Sequence, residues 1–419
     1  MSAAEPRSGL GASGPRPGAW PPLLAISRPL RGLFAFEATS GLLLIACAAA
    51  ALFWANSSAS SSYGALWHTM VGLRLGSFVF ERSLEWVVND VLMAIFFFVV
   101  GLEIRKELYD GQLSEWRRAA LPVVGALGGM VVPACAYLAV AAAPETRLGW
   151  GIPMATDIAF ALGVLILLGK RVPAALRVLL LAVAVIDDLG AILVIALFYS
   201  SGIAASGLLL AALGVLLLVT LRAFGVRSMP IYVVPGVIIW AGVYAAGIHP
   251  TIAGVIVGLL TPVHAWPGVE AESPADFLLH ALHPWVSFAI MPVFALANAG
   301  VNLDGLSLSG SGAKVSLAVL VALLLGKPLG VVASSTLAIR AKLALLPPGL
   351  SLRHLLVLGV VAGIGFTMSL FLAQLAFEDP TLLGAAKLGV LIASALALIL
   401  GLILGRALLQ NAEPEEKKR

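Results

Sequence analysis

Hydrophobic positions fill this chain in long blocks, and most of the polar positions gather between them. Twelve apolar segments can be marked, near residues 34–56, 84–105, 119–142, 150–168, 173–199, 204–221, 229–247, 250–262, 279–301, 315–339, 354–376 and 383–409. A helix that crosses a bilayer needs about 20 predominantly apolar residues, and most blocks reach that length. A membrane β-barrel would instead show alternating stretches of about ten residues. The pattern predicts an all-α polytopic membrane protein of twelve transmembrane helices. Segments 150–168 and 250–262 are short for simple spans.

Composition agrees. Hydrophobic residues make up 60% of the 419 and charged residues only 11%, where a soluble domain carries about 25%. The net charge of +4 does not imply a nucleic-acid partner, because the basic residues are scattered through short connections. Their distribution reports topology instead. With the N-terminus inside, 20 Lys and Arg fall on the inner side and five on the outer, namely Arg74, Arg82, Arg147, Lys314 and Lys387. Basic residues favour the cytoplasmic side, so both termini are expected there. The inner connection Pro262–Leu278 breaks the trend, with Glu270, Glu272 and Asp276 and no Lys or Arg.

The expected organisation is a cytoplasmic tail over 1–33, a twelve-helix domain over 34–409 and a cytoplasmic tail over 410–419. The first tail lacks the apolar core of a signal peptide. Cys47 and Cys135 lie in separate apolar segments and imply no disulfide framework. Within the long outer connection Asn56–Leu84, a Ser-rich stretch precedes apolar alternation around Gly72 and Gly76. That alternation predicts a short β-hairpin over part of 56–84. An isolated hairpin is marginal, so a second subunit is its expected partner, giving a homodimer.

The candidate chemistry lies inside the apolar segments. Asp187 and Asp188 are the only charged residues in the run Val178–Leu221. A carboxylate at the centre of a membrane helix costs about 2.5–3.5 kcal/mol on insertion scales. A pair kept at that cost points to function, and the candidate role is to hold a proton or a cation. The two side chains point about 100° apart around a helix, the turn per residue. One should therefore meet a counter-charge and the other a water-filled funnel. Lys327, deep in segment 315–339, is the candidate counter-charge, and its neighbour Pro328 is expected to interrupt that segment. Segment 150–168 holds Pro153, Thr156 and Asp157, and segment 354–376 holds Gly363 and Gly365. Paired interruptions in corresponding places of two halves point to a transporter site at mid-membrane. Carboxylate oxygens suit a small hard cation such as Na⁺ or Li⁺. One site that takes either a proton or the cation, and faces each side in turn, suffices for exchange. A cation channel would not need broken helices in two halves. An intramembrane hydrolase would need a nucleophile–base set that is absent from the sequence. A sodium-coupled symporter remains a separate class, distinguished by solute uptake.

Several of these motifs resemble the bacterial NhaA-type sodium/proton antiporter family. They are Ala155-Thr-Asp-Ile-Ala-Phe-Ala-Leu-Gly-Val164, Ile186-Asp-Asp-Leu-Gly-Ala-Ile192, Gly326-Lys-Pro-Leu-Gly330 and Gly363-Ile-Gly-Phe-Thr-Met368. Asn89-Asp-Val-Leu-Met-Ala94, Gly101-Leu-Glu103, His283-Pro-Trp285 and Ala297-Asn-Ala-Gly300 support them. The resemblance implies twelve helices with inverted three-helix repeats, whose two discontinuous helices cross at mid-membrane. It implies electrogenic exchange of cytoplasmic Na⁺ or Li⁺ for external H⁺ across the bacterial inner membrane. No cofactor is implied beyond the transported ions, and no enzyme activity. By position, Asp188 is the main cation and proton carboxylate and Asp187 pairs with Lys327, which could also carry a proton. Asp157 compensates facing helix ends, Thr156 lines the cation site, and Glu103 stands at the cytoplasmic entrance. The hairpin matches the family's periplasmic dimer contact.

One departure concerns the loop that breaks the charge rule. At least one family member carries a glutamate, preceded by basic residues and implicated in pH sensing, just before His-Pro-Trp. Here Leu279 takes the glutamate position and Asp276-Phe277 the basic pair, so the pH profile is expected to differ. His280 and His283 lack the further ligands of a metal site. His249, before Pro250, reads as an exposed turn residue.

Overall fold

The computed structural model of the chain describes residues 27–76, 78–200, 202, 204–226, 228–264, 272–303 and 310–409. The C-terminal tail and most of the N-terminal tail lie outside the described residues, as does Glu270. The first helix, α1 (Ser27–Ala55), begins ahead of the apolar segment at Phe34. It is followed by α2 (Ser60–Trp67), β1 (Met70–Leu75), β2 (Phe78–Ser83) and α3 (Leu84–Tyr109). Then come α4 (Trp116–Val140), α5 (Ile158–Leu167), α6 (Ala174–Phe198), α7 (Ala205–Ala223), α8 (Val233–Ala245) and α9 (Thr251–Leu260). The chain continues through α10 (Pro274–Asn298), α11 (Gly310–Arg340), α12 (Leu352–Ala362), α13 (Phe366–Ala376) and α14 (Pro380–Leu408).

This is a mostly helical membrane protein. Among the described residues, seven helices are long and apolar enough to cross a membrane, or ten if each bent pair counts as one span. The bent pairs include the short 3₁₀ helix Arg147–Met154 with α5, at 44°, and α12 with α13, at 46°. The shorter apolar helices α8 and α9 stand beside these.

Helix starts follow local chemistry. Ser83 caps α3 by accepting from the Trp86 N–H at 3.1 Å. Ser273 caps α10, with Pro274 in the first turn, where a missing N–H has no helical partner to lose. Asp379 caps α14, again before a proline.

Most helix packing falls within two sets, which meet at a narrower seam. In the first, α3 lies against α9 and α10, and α7 against α8. The α3–α9 contact is close because it is lined by glycine: a Cβ on Gly101 would stand 2.9 Å from the Val255 carbonyl oxygen, and one on Gly254 2.1 Å from that of Ala94. In the second set, α11 packs on α4, α12 and α14, α4 on α6, and α13 on α14. Helix α1 touches both, through α10 and α5.

Three local expectations are revised. The Ser-rich start of the outer connection folds as α2 rather than as loop. Pro328 does not interrupt its helix, because a π turn at Ala322–Gly326 precedes it and widens the ladder where the proline offers no N–H. His249 is not an exposed turn residue. Its ring is largely enclosed, with Nδ1 2.8 Å from Thr251 Oγ1 and Nε2 3.6 Å from Asp90 Oδ1. The strands β1 and β2 pair antiparallel from Met70↔Ser83 to Leu75↔Phe78, turning at Gly76 with φ of 61°.

Candidate transport site

The two bent pairs meet at their breaks, where the Asp157 N–H donates to the Ile364 carbonyl at 2.8 Å. Four helix ends therefore face one another in the interior. The positive ends of α5 and α13 are served by one carboxylate. Asp157 caps α5, its Oδ1 accepting from the Phe160 N–H at 3.0 Å. Its Oδ2 accepts from the Thr367 N–H of α13 at 3.1 Å and from the Thr367 hydroxyl. The negative ends are met by donors. The Lys327 ammonium donates to the Met154 carbonyl at 2.6 Å, closing the 3₁₀ helix. Thr156 Oγ1 lies 3.0 Å from the Ala362 carbonyl at the end of α12.

The same two donors reach α6. Lys327 Nζ is 2.9 Å from Asp187 Oδ2, with both side chains removed from solvent. Thr156 Oγ1 is 2.7 Å from that same oxygen, and its single proton serves either this carboxylate or Ala362. Asp187, Asp188, Asp157, Thr156 and Lys327 are thus brought together, each no more than 1% exposed. Asp188 is enclosed rather than facing a wetted funnel. The Oδ1 atoms of Asp187 and Asp188 are both buried without a hydrogen-bond partner. Gly363 and Gly365 form the break between α12 and α13. Glu103, half-buried on α3, is among the charges that act on Asp188 from outside the second helix set.

Fully ionised, the three aspartates and Lys327 would leave two excess negative charges in an interior with little water. Such burial is unfavourable unless the charge is offset. Since the opposing helix ends offset each other, protons or small cations are what this arrangement can take up.

Some of the geometry was not singled out by sequence reasoning. Thr367 sits inside the Gly363–Met368 motif, yet its contact with Asp157 was not assigned. Ser394 of α14 accepts from the Phe366 N–H at 3.1 Å, and Ser369 donates to the Ile152 carbonyl at 2.7 Å. Hydroxyls in an apolar helix carried no distinguishing signal. Lys387, counted with the outer connections, is a buried residue of α14.

Comparison with known proteins bears on the same region. Residues 31–404 match the family described as Na+/H+ antiporter 1. The chain is similar to the Na(+)/H(+) antiporter NhaA 2 of Myxococcus xanthus, at 56% identity over 94% of this chain and 93% of that protein. It is 48% identical to the protein of the same name from Sorangium cellulosum, over 95% of this chain and 94% of the other. Among solved structures, the sodium proton antiporter MjNhaP1 from Methanocaldococcus jannaschii is similar with a TM-score of 0.50. That likeness covers 92% of this chain and 97% of the other at 14% identity, and bears on the fold alone.

Proposed function

Because the chain belongs to the Na+/H+ antiporter 1 family, we propose that it exchanges cytoplasmic Na⁺ or Li⁺ for external H⁺ across a bacterial inner membrane, electrogenically. The reading carries the relatives' named activity to this chain, and the geometry at the helix breaks supports it. Asp188 is the exchanging carboxylate. Its observation is the pair of shielded, unpartnered Oδ1 atoms on adjacent aspartates. A buried carboxylate oxygen without a donor gains most from a proton or a cation.

Lys327 neutralises Asp187 and so leaves Asp188 as the group that must change its charge state. Thr156 supplies a neutral oxygen beside the pair, and Asp157 holds the break together while the site changes access. Proton and cation compete for one carboxylate, so binding of one releases the other. Alternate exposure of that carboxylate to the two sides then couples the gradients. Glu103 lies on the path that leads from the inner face. Twelve spanning segments, arranged as inverted three-helix repeats, would accommodate the motion, with both termini cytoplasmic. The hairpin would join two subunits.

The test is Na⁺-induced collapse of a respiration-generated pH gradient in everted vesicles from an antiporter-deficient host. Wild type is compared with Asp188→Asn across mildly acidic to alkaline pH. Collapse in wild type and none in the variant supports the reading. Equal behaviour removes Asp188 from the mechanism.

A further inference from the structure

Away from the helix breaks, a second polar group lies where the two helix sets face each other, with Glu85 and Gln374 half-buried and Lys387 buried. Glu85 opens α3, in the first set. Gln374 and Lys387 belong to α13 and α14, in the second. The Gln374 Nε2 donates to Glu85 Oε1 at 3.1 Å. Gln374 Oε1 is shielded from solvent with no partner. Lys387, on α14 where it packs against α13, is buried, with Glu85 within range of its charge. Tyr63 of α2 also feels the Glu85 charge, while its own hydroxyl donates to the Leu296 and Ala297 carbonyls. A buried lysine is expensive to keep in such a place, and neither it nor Glu85 takes part in the chemistry at Asp188.

Their position explains them. One turn before Gln374, Phe371 projects from the second set into the first. Its ring centroid lies 5.3 Å from that of Phe97, 6.3 Å from Phe294 and 5.4 Å from the His249 ring. This aromatic contact followed by the Glu85 group closes the seam between the sets at the end where α3 and α14 begin. In the orientation proposed above, that is the outer end. Helix α13 is also the helix whose first turn holds Asp157 through Thr367. Gln374 is seven residues further on, about 10 Å along the axis at 1.5 Å per residue. A separation of Glu85 from Gln374 would therefore move an element rigidly attached to the transport site.

We propose that Glu85, Gln374 and Lys387 form a latch that holds the outer side of the transporter closed and is broken each time the site turns outward. The proposal rests on the antiport reading and its orientation, and adds three positioning residues to it. The charged partners make the closed state specific, since separating them exposes each to water singly rather than to each other. The aromatic contact alone would let the sets slide.

The test exploits two-state arithmetic. Apparent affinity on either face is the intrinsic affinity reduced by the fraction of molecules open to that face. Weakening an outer latch removes molecules from the inward-accessible population and adds them to the outward one. Glu85→Leu and Lys387→Met should therefore raise the apparent KM for Na⁺ at the cytoplasmic face, read in everted vesicles, by roughly three- to tenfold, the scale of one ordinary hydrogen bond. The apparent KM at the outer face, read in right-side-out vesicles, should fall. Lys387→Arg should stay near wild type. Glu85→Gln, which retains the size of the side chain and loses only its charge, should shift both constants in the same senses and covers the case in which Glu85→Leu does not fold. A merely structural defect would lower the amount of active protein, or weaken both faces together, and either result overturns the latch. So does a reciprocal shift of the opposite sense. Wild-type vesicles without Na⁺-dependent exchange would overturn the antiport reading instead. In that case amide hydrogen exchange over residues 366–376 of the purified full chain still decides the latch: faster exchange in Glu85→Gln than in wild type supports it, and equal exchange overturns it.

Discussion

The Lys327 ammonium lies 2.9 Å from Asp187 Oδ2, and neither side chain has any exposure to solvent. Because the same ammonium donates to the Met154 carbonyl, one lysine ties α6, α11 and the end of the 3₁₀ helix together. Removing one partner of a buried pair leaves an uncompensated charge, at about 3–5 kcal/mol. Lys327→Met should accordingly lower the thermal midpoint of the detergent-solubilised protein strongly. The double variant Asp187→Asn/Lys327→Met should recover much of the loss, because no lone charge then remains. A double variant no more stable than Lys327→Met would show that the pair is not what holds these helices.

Asp157 accepts from donors at the starts of both α5 and α13. A hydrogen bond to a charged group is worth about 1.5–3 kcal/mol. Thr367→Val should destabilise the protein by about that much and slow exchange, while Thr367→Ser should remain close to wild type in both. Thermal melting and vesicle exchange, measured side by side, check this. Equal behaviour of the Val and Ser variants would mean that the hydroxyl plays no part at the crossing.

The start of α10 offers a test of pH response. Asp276 meets Lys106 and Ser273 there, His280 is 2.5 Å from Glu272, and Leu279 packs towards Leu102, Val263 and Ala275. Substituting Glu at Leu279, together with basic residues at Asp276 and Phe277, should move the pH profile of exchange by about one unit, the scale of a nearby charge. It should also lower stability, because a carboxylate enters an apolar cluster and Lys106 loses its partner. An unmoved pH profile would exclude this loop from pH control.

The hairpin can be shortened without disturbing its base. Gly72 pairs with Glu81, and Arg82 Nη2 donates to the Tyr244 hydroxyl at 2.6 Å. Excising residues 73–80 and joining Gly72 to Glu81 through Asn-Gly, which favours a tight hairpin turn, should leave the helices folded. The expected result is a smaller dimer fraction in native mass spectrometry of the detergent-solubilised protein. An unchanged fraction would place the subunit contact elsewhere.

Much of this architecture is legible in the chain because a bilayer enforces simple rules. Long apolar blocks must become helices, since every backbone group needs an internal partner. A carboxylate within such a block is costly enough to identify itself, and so Asp157, Asp187, Asp188 and Lys327 could be picked out before any geometry was known. The glycines at 363 and 365 pointed to a break because each weakens a helix by about 1 kcal/mol. What these signals lack is direction. Sequence spacing only separates Asp187 from Asp188 by a fixed angle; the family resemblance assigned Asp187 to Lys327, and the seating of α6 and α11 gives the physical cause, an ammonium 2.9 Å from Asp187. Pro328 looked like a helix break until the π turn before it absorbed the missing donor. His249 looked exposed beside a proline, and is enclosed because Asp90, Thr251 and Phe371 converge on it. Lys387 was counted on the outer side and is buried within α14. The sequence by itself determined the helical membrane fold, the charged residues at its centre and the family. Tertiary structure alone decided the distances and shared donors that join those charges to Thr156, Thr367 and the helix ends, because contacts between helices depend on how each is rotated and seated, and a one-dimensional pattern records neither.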